Sequence, residues 1–306
     1  MISVIMATYN GSKYIREQLD SILNQTYRIN EIIICDDSSK DDTLTILNSY
    51  DELDHVRILR NPCNLGVVKT FARCLEFVNG DYVFFADQDD IWDYHKVEIM
   101  ISTMRPNSNL YFSNAKFLKS DNKQELLFDY LNLHKLARYN FLWGHSQVNL
   151  FRRGNIVVGA TMLVRAEFLL KNYRTDIKIL HDYYLGLLAA GENSLQFTTK
   201  PLIQYRIHSE QTAGIDNKKN LFTRARKIHE TLDNQTKVVE RTLQSQGLDK
   251  SVRIFYLEML DFIGFRKAQL SRNLFISLSF LSFRRFKQYV QYANLRHIIL
   301  DLLLCA

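Results

Sequence analysis

Short apolar runs alternate with stretches of helical spacing through the first hundred or so residues. Ser3 to Met6 reads as a buried strand. Tyr14, Ile15, Gln18, Leu19, Ile22 and Leu23 follow at the spacing of one helix face, with Asn10 or Ser12 placed to cap it. Glu31 to Cys35 is a second apolar run, closed by Asp36-Asp37-Ser38-Ser39, and Asp41 or Asp42 can cap a helix carrying Leu44, Ile46 and Leu47. Val56 to Leu59 predicts a third strand, and Asn64-Leu65-Gly66 leads into a helix around Val68, Phe71, Ala72 and Leu75. Asn79-Gly80 turns the chain into Tyr82 to Ala86, whose length and β-rich make-up fit a fourth buried strand. Further on, Leu110 to Phe112 and Ile156 to Val164 read as strands, residues 120–155 as an aromatic-rich insertion, and the chain from Leu221 onward as helical.

Strands alternating with helices imply parallel βαβ units with right-handed crossovers. The carboxyl ends of parallel strands share one sheet edge, and ligands of open α/β sheets bind beyond that edge. Thr8-Tyr9-Asn10, Asp36-Asp37-Ser38 and Asp87-Gln88-Asp89 all stand at such ends, so they are expected to line a single crevice. The fourth strand drives straight into Asp87, Asp89 and Asp90. Carboxylates that close raise one another's pKa unless a cation or strong donors offset them, and a divalent metal is the usual cation. The plainer reading is an acidic loop in which Asp90 caps the helix that holds Lys96.

Composition narrows the class. A hydrophobic content of 46% with 24% charged residues suits a folded globular chain rather than a disordered one. Cys35, Cys63, Cys74 and Cys305 have no metal-binding or redox spacing, and the first residues already follow a strand pattern rather than that of a signal peptide. A reduced, cytoplasmic setting is therefore expected. Residues 217–306 hold 16 Lys and Arg against 7 Asp and Glu, so the whole basic surplus of the chain lies in its last third. Such a segment suits a phosphate-bearing partner. No Gly-x-Gly-x-x-Gly follows the first strand, and Walker-type loops, Gly-x-Ser-x-Gly and paired Cys/His arrangements are also missing. What remains is an acid-rich set of strand ends beside an aromatic, Tyr9. That inventory can bind a nucleotide by stacking, by carboxylate hydrogen bonds, and by a metal on the diphosphate.

These motifs, in this order, resemble the family 2 glycosyltransferases. The resemblance is carried by Ser3-Val4-Ile5-Met6-Ala7-Thr8-Tyr9-Asn10-Gly11, by Gln25-Thr26-Tyr27, by Asp36-Asp37-Ser38-Ser39 with Asp41-Asp42-Thr43, by Asn64-Leu65-Gly66, and by Asp87-Gln88-Asp89 in the place of the Asp-x-Asp signature. It covers residues 2 to about 214. It implies a GT-A (Rossmann-like) α/β fold, a mostly parallel central sheet flanked by helices. A catalytic domain would occupy residues 1–216, its nucleotide half about 1–100 and its acceptor half about 101–216, with a basic helical extension over 217–306.

The resemblance also implies roles. Thr8, Tyr9, Asn10, Asp37, Asn64, Gly66, Lys69, Asp87, Gln88 and Arg206 would bind the nucleotide sugar, with Tyr9 beside the nucleobase, Asp37 accepting from the base and Arg206 suited to phosphate. Asp89, with Asp87 and His208, would hold Mg²⁺ or Mn²⁺, hard cations that prefer oxygen ligands. Trp92, Gly159, Ala160, Thr161 and His181 would face the acceptor. Asp182, in Leu180-His181-Asp182-Tyr183-Tyr184, would be the single base that an inverting transfer needs. Read alone, an Asp in this position more often serves as the cap of a helix, here from Tyr183 to Ala190. The blocks around Asp87, Gly159, Asp182 and Tyr205-Arg206-Ile207-His208 are similar to those of rhamnosyltransferase-like members that build bacterial surface polysaccharide. They imply dTDP-β-L-rhamnose as donor, Trp92 against its methyl group and a lipid-linked glycan as acceptor, with a UDP-hexose as the competing donor. The tail, with Phe275, Ile276, Leu278, Phe280, Leu281, Phe283, Phe286, Tyr289 and Tyr292 around Arg284, Arg285 and Lys287, is too short in its uncharged run to span a bilayer. It suits either the interface of an anionic membrane, placing the protein peripherally at the inner face, or packing on the catalytic domain or in a homodimer. A nucleotidyl- or phosphotransferase would need a better phosphate loop than Asn10-Gly11-Ser12-Lys13, and a nucleic-acid-binding module would leave the ordered acidic motifs unexplained.

Overall fold

The structure, a computed structural model, describes residues 1–118, 125–131, 133, 147–151, 155–176, 180–208, 221–244, 248 and 250–270. The aromatic-basic tail beyond residue 270, and Gln211, Thr212 and Gly214, lie outside these residues.

One eight-stranded sheet organises the chain, in the order β3-β2-β1-β4-β7-β6-β8-β5. Its first half comprises β1 (Ile2–Thr8), β2 (Glu31–Asp36), β3 (Val56–Arg60) and β4 (Tyr82–Ala86), joined by helices α1 (Ile15–Leu23), α2 (Thr43–Asn48) and α3 (Val67–Leu75). β1 pairs parallel with β2, from Ser3 opposite Glu31 to Thr8 opposite Asp36, and parallel with β4 on its other side. Val4, Ile5 and Met6, Ile32 to Cys35, and Val83 to Ala86 are buried, as strands covered on both faces must be. The second half is mixed. β7 (Met162–Arg165) runs antiparallel to both β4 and β6 (Leu110–Leu118), β8 (Leu195–Arg206) is parallel to β6, and β5 (Ile91–Trp92) closes the edge antiparallel to β8. Four of the seven strand pairings are parallel and three antiparallel, so the α/β sheet is mostly parallel, as expected, with the antiparallel pairings confined to its second half. Its parallel part carries the strand ends singled out above.

Several local expectations are revised. The segment from Ile156 to Val164 is not one strand: Gly159–Thr161 forms a turn of 3-10 helix before β7 begins. The Thr161 N–H and hydroxyl both donate to Val158 O, at 2.9 and 2.7 Å, and Lys96 Nζ donates to Ala160 O at 2.8 Å. These bonds take the groups that a ladder would need. Neither Asn10 nor Ser12 caps α1, which starts at Ile15 with its N–H on Gly11 O; the Asn10 side chain instead accepts from Lys40 N at 2.9 Å. Asp90 does not cap α4 (Lys96–Thr103), since Asp93 Oδ1 accepts the His95 N–H at its start.

Helices Leu221–Leu243 and Lys250–Leu270 pack on each other and on the helix His181–Gly191. Leu232, Val238, Val239, Val252, Phe255, Phe262 and Ile263 join the same buried cluster as the sheet, and Tyr256 Oη donates to Leu187 O at 2.9 Å. Among the described residues, no helix is long and apolar enough to cross a membrane.

Candidate active site

The carboxyl ends of β1, β2 and β4 open into a crevice of about 360 Å³. It is lined by Thr8, Tyr9, Asp37, Asn64, Gly66, Asp87, Gln88 and Asp89 from the first half of the sheet, and by Gly159, His181, Asp182 and His208 from later in the chain. The structure therefore gathers in one place most of the residues picked out along the sequence.

Gln88 locks two strand tips together. Its Oε1 accepts from Thr8 Oγ1 at 2.7 Å and from the Tyr9 N–H at 2.8 Å, while its Nε2 donates to Tyr9 O at 3.1 Å. This approach requires a glycine next door: a Cβ on Gly11 would lie 2.4 Å from Gln88 Oε1. Asp37, buried at the tip of β2, orders the loop before α3. Its Oδ1 accepts from Asn61 Nδ2 at 2.7 Å and Leu65 N at 2.8 Å, and its Oδ2 from Gly66 N at 2.9 Å. Gly66 sits at φ 83°, a left-handed backbone that favours glycine.

The acidic loop is held from β8. His208 Nε2 lies 2.8 Å from Asp89 Oδ2, and the His208 ring packs 4.9 Å from that of Tyr14. The Arg206 backbone N–H donates to Asp90 Oδ1 at 2.9 Å, its Nε to Asp89 O at 2.7 Å, and its guanidinium stacks 4.5 Å over Tyr14 while meeting Glu17. Asp90 is buried, and its Oδ2 has no hydrogen-bond partner. Burial, then the neighbouring Asp89 and Asp182, push the Asp87 carboxyl up to about 7, opposed by Lys96. Burial also pushes Asp90 well above the usual carboxylate range, with Asp87 and Asp89 adding to it. The crowding of these carboxyls thus disfavours ionising Asp87 and Asp90, and Lys96 is the cation that opposes it. No group of three His, Cys, Asp or Glu side chains among the described residues is arranged to hold a metal by itself.

Across the crevice, Asp182 lies in the first turn of the helix His181–Gly191, one residue past its start, so it is not the terminal cap. Its Oδ1 accepts from Tyr183 N at 2.6 Å, and its Oδ2 accepts from Gly159 N at 3.2 Å. Burial raises Asp182 to about 6, against the N–H groups of Tyr183 and Gly159 and the Asn155 amide, which favour the ionised form. His181 stacks flat on Phe85, with ring centroids 4.8 Å apart, and burial depresses its pKa to about 3, which keeps the imidazole neutral. Both its ring nitrogens lack hydrogen-bond partners.

Asn10, Lys69, Arg206, Trp92, Ala160 and Thr161 stand outside the crevice lining. Asn10 ties its loop to Ser39 and Lys40, Lys69 is exposed on α3, and Arg206 braces the acidic loop from behind. Trp92 is buried against Phe84 and beneath the Lys96 ammonium, which lies 3.7 Å from its ring centroid. The sequence reading placed Trp92 against the sugar; its ring instead belongs to the core. Conversely, Thr70, Leu131, Asn155, Val157, Val158, Leu180 and Tyr205 line the crevice without having been singled out for that. The apolar ones carry no chemical signature; Val157, Val158 and Leu180 lie close in sequence to Gly159 or Asp182, whereas Leu131 has no such neighbour.

A nucleotide-sized crevice at the ends of parallel strands, with an acidic loop on one side and a single raised carboxylate on the other, defines a GT-A-like sugar-nucleotide transferase. The chain belongs to glycosyl transferase family 2, whose profile matches residues 3–179. It is similar to the dTDP-rhamnosyl transferase RfbG of Shigella flexneri, 30% identical over 68% of this chain and 73% of the relative. It is also similar to the UDP-Glc:alpha-D-GlcNAc-diphosphoundecaprenol beta-1,3-glucosyltransferase WfgD of Escherichia coli, 26% identical over 71% of this chain and 81% of the relative. Among solved structures, S. aureus TarS residues 1–349 in complex with UDP-GlcNAc superposes with a TM-score of 0.63 at 17% identity, over 94% of this chain and 78% of that one.

Proposed function

We propose that this glycosyltransferase moves rhamnose from dTDP-β-L-rhamnose to a growing, lipid-linked surface glycan, with inversion at the anomeric carbon. The observation that supports this mechanism is Asp182. It is the one raised carboxylate on the wall facing Tyr9, Asp37 and Asp87, so an acceptor hydroxyl can lie between it and the donor. The acceptor oxygen attacks the anomeric carbon from the face opposite the diphosphate. Asp182 takes the hydroxyl proton as the carbon–oxygen bond to phosphate breaks and the nucleoside diphosphate leaves. A pKa near 6 leaves Asp182 ionised at neutral pH yet basic enough to accept that proton.

Asp89 and His208 fit a divalent metal. They meet side by side at the crevice, in a loop that crowds Asp87, Asp89 and Asp90 together and leaves one carboxyl oxygen of Asp90 without a partner. Mg²⁺ commonly takes only one or two carboxylates and completes its shell with substrate phosphates and water, so a set of three protein ligands is not required. Bound there, the ion would stabilise charge on the leaving diphosphate. Asp87 would assist it or contact the ribose, Tyr9 would lie beside the base, and Asp37 would accept from N3–H, a group that uracil and thymine share.

The donor assignment is supported by the relative named as a dTDP-rhamnosyl transferase, and its rival, a UDP-hexose, by the one named as a glucosyltransferase. The latter relative's name also supports a diphosphoundecaprenol-linked acceptor. With Trp92 in the core, Leu131, Val157, Val158 and Leu180 are apolar side chains of the crevice lining that would offer a 6-deoxy methyl a dry contact. The proposed setting is peripheral at the inner membrane face, reached through the basic segment within residues 217–306. A panel of nucleotide sugars with Mn²⁺ tests the donor by thermal stabilisation, because ligand binding raises stability by mass action. dTDP-rhamnose is expected to give the largest shift; a larger one with UDP-glucose or UDP-galactose assigns the donor to the rival class.

A further inference from the structure

Lys96 is a charged side chain sealed in the interior, with 0% of its surface exposed. Lysine is almost never fully buried unless paired, and burial of its charge here pushes its pKa down to about 7, against the pull of Asp90 and Asp87. Its contacts explain its place. Nζ donates to Ala160 O at 2.8 Å, sits 3.7 Å over the Trp92 ring, and supplies opposite charge to Asp90, whose Oδ2 is otherwise unpartnered. Ala160 is the middle residue of the turn Gly159–Thr161. The first N–H of that turn, from Gly159, donates to Asp182 Oδ2 at 3.2 Å. A short path therefore joins the strand that follows the acidic loop to the Asp182 carboxylate: Trp92, Lys96, Ala160, Gly159, Asp182.

We infer that Lys96 is a positioning residue for sugar transfer, holding the Gly159–Thr161 turn against the acidic loop so that Gly159 N–H aims and steadies the Asp182 carboxylate. The inference rests on the reading of Asp182 as the base. Lys96 touches no reacting atom in this account. It ties the turn to the acidic end of the sheet through one buried hydrogen bond and its contact with the Trp92 ring, and sequence spacing alone discloses neither. With the turn released, the Gly159 N–H no longer favours the ionised form of Asp182, so the base should become harder to ionise as well as less well aimed.

The experiment uses the full chain with Lys96→Met, Asp90→Asn and the double variant Lys96→Met/Asp90→Asn. Removing the lysine alone takes away the nearby cation that opposes the upward shift of Asp90, so the double variant also removes that carboxyl while still lacking the bond to Ala160. Binding of UDP and of dTDP with Mn²⁺ is measured by calorimetry. Transfer of labelled sugar from dTDP-rhamnose or UDP-glucose to a bacterial glycolipid extract is followed across pH. Loss of a supporting partner around a site typically costs about 10–100-fold. Lys96→Met/Asp90→Asn is expected to fold, bind the nucleotide within about threefold of Asp90→Asn, turn over about 10–100-fold more slowly, and show its acid limb at higher pH. Lys96→Met, if folded, is expected to show the same split between affinity and turnover relative to wild type. Turnover equal to that of Asp90→Asn, nucleotide affinity falling in parallel with turnover, or failure of both lysine variants to fold would overturn the inference and leave Lys96 a core residue. Asp182→Asn runs beside them. If it keeps wild-type turnover, the base reading itself fails, whereas an inactive Asp182→Asn with normal lysine variants sinks only the role given to Lys96.

Discussion

Replacing Asp182 by Asn keeps the shape of the side chain and removes its basicity, and the structure sets what should follow for both rate and stability. Loss of a general base typically costs about 10²–10⁴ in rate. Stability should move the other way. Asp182 binds its proton with a pKa of about 6 in the fold, against roughly 3.9 for a free side chain. A group whose folded pKa is raised contributes its full share of stability below the unfolded value and loses it as pH rises through the folded one. At neutral pH the ionised Asp182 therefore costs about 3 kcal/mol. Asparagine removes that cost but introduces another. Tyr183 N and Gly159 N donate to different oxygens, so the new amide nitrogen must face one of them, donor against donor. A buried polar group left unsatisfied costs about 1–3 kcal/mol. The net expectation is a variant as stable as wild type at pH 7, or up to about 2 kcal/mol more stable, with little nucleotide affinity lost. Thermal melts and initial rates from pH 4.5 to 8.5 check this. For the wild type, kcat/KM should fall tenfold per unit below about pH 6, the limb that reports the free enzyme's base. The reasoning is refuted if Asp182→Asn keeps more than a tenth of wild-type turnover, or if its residual activity retains the same limb.

Other perturbations reach other parts of the account. Asp89→Ala should abolish transfer and weaken Mn²⁺-dependent binding of UDP and dTDP; full activity in excess chelator, with Asp89→Ala also active, contradicts the metal reading. Gly11→Ala brings a methyl to 2.4 Å from Gln88 Oε1 and should break the clamp on Thr8 and Tyr9, lowering nucleotide affinity by about tenfold, as calorimetry can show. Affinity equal to wild type would mean that the clamp does not shape the base pocket. Removing residues 271–306 should release the chain from anionic vesicles without loss of nucleotide binding; co-sedimentation at unchanged levels assigns membrane contact elsewhere.

The first half of the sheet was legible because its signals are local. Each of β1, β2 and β4 is an apolar run ending in polar residues, and parallel pairing brings those ends together whatever the rest of the chain does. Asp37, Asp87, Gln88 and Asp89 follow from that alone. The second half resisted, because its geometry comes from long-range contacts. The turn at Gly159–Thr161 is fixed by Lys96 from α4, 64 residues away in sequence, so an apolar run there read as strand. Trp92 looked like a sugar-facing aromatic because it follows the acidic motif. Its place in β5, paired with Ile203 of β8, turns the ring into the core instead. Arg206 suited a phosphate by type, yet it is drawn to Asp89 O, Glu17 and Tyr14. His208 was reached through its block, and the structure does bring it to Asp89.

The central claim is that the crevice between Asp89 and Asp182 passes a sugar from a nucleotide donor to an acceptor glycan. Its most direct test is mass analysis of a glycolipid extract after incubation with the purified protein, Mn²⁺ and either dTDP-rhamnose or a UDP-hexose. The account predicts a product heavier by one deoxyhexose residue with dTDP-rhamnose, absent with Asp182→Asn or without metal. A gain of a hexose residue instead would replace the donor and keep the enzyme; no new glycan with any nucleotide sugar, in a protein that also fails to bind UDP or dTDP, would contradict the claim itself.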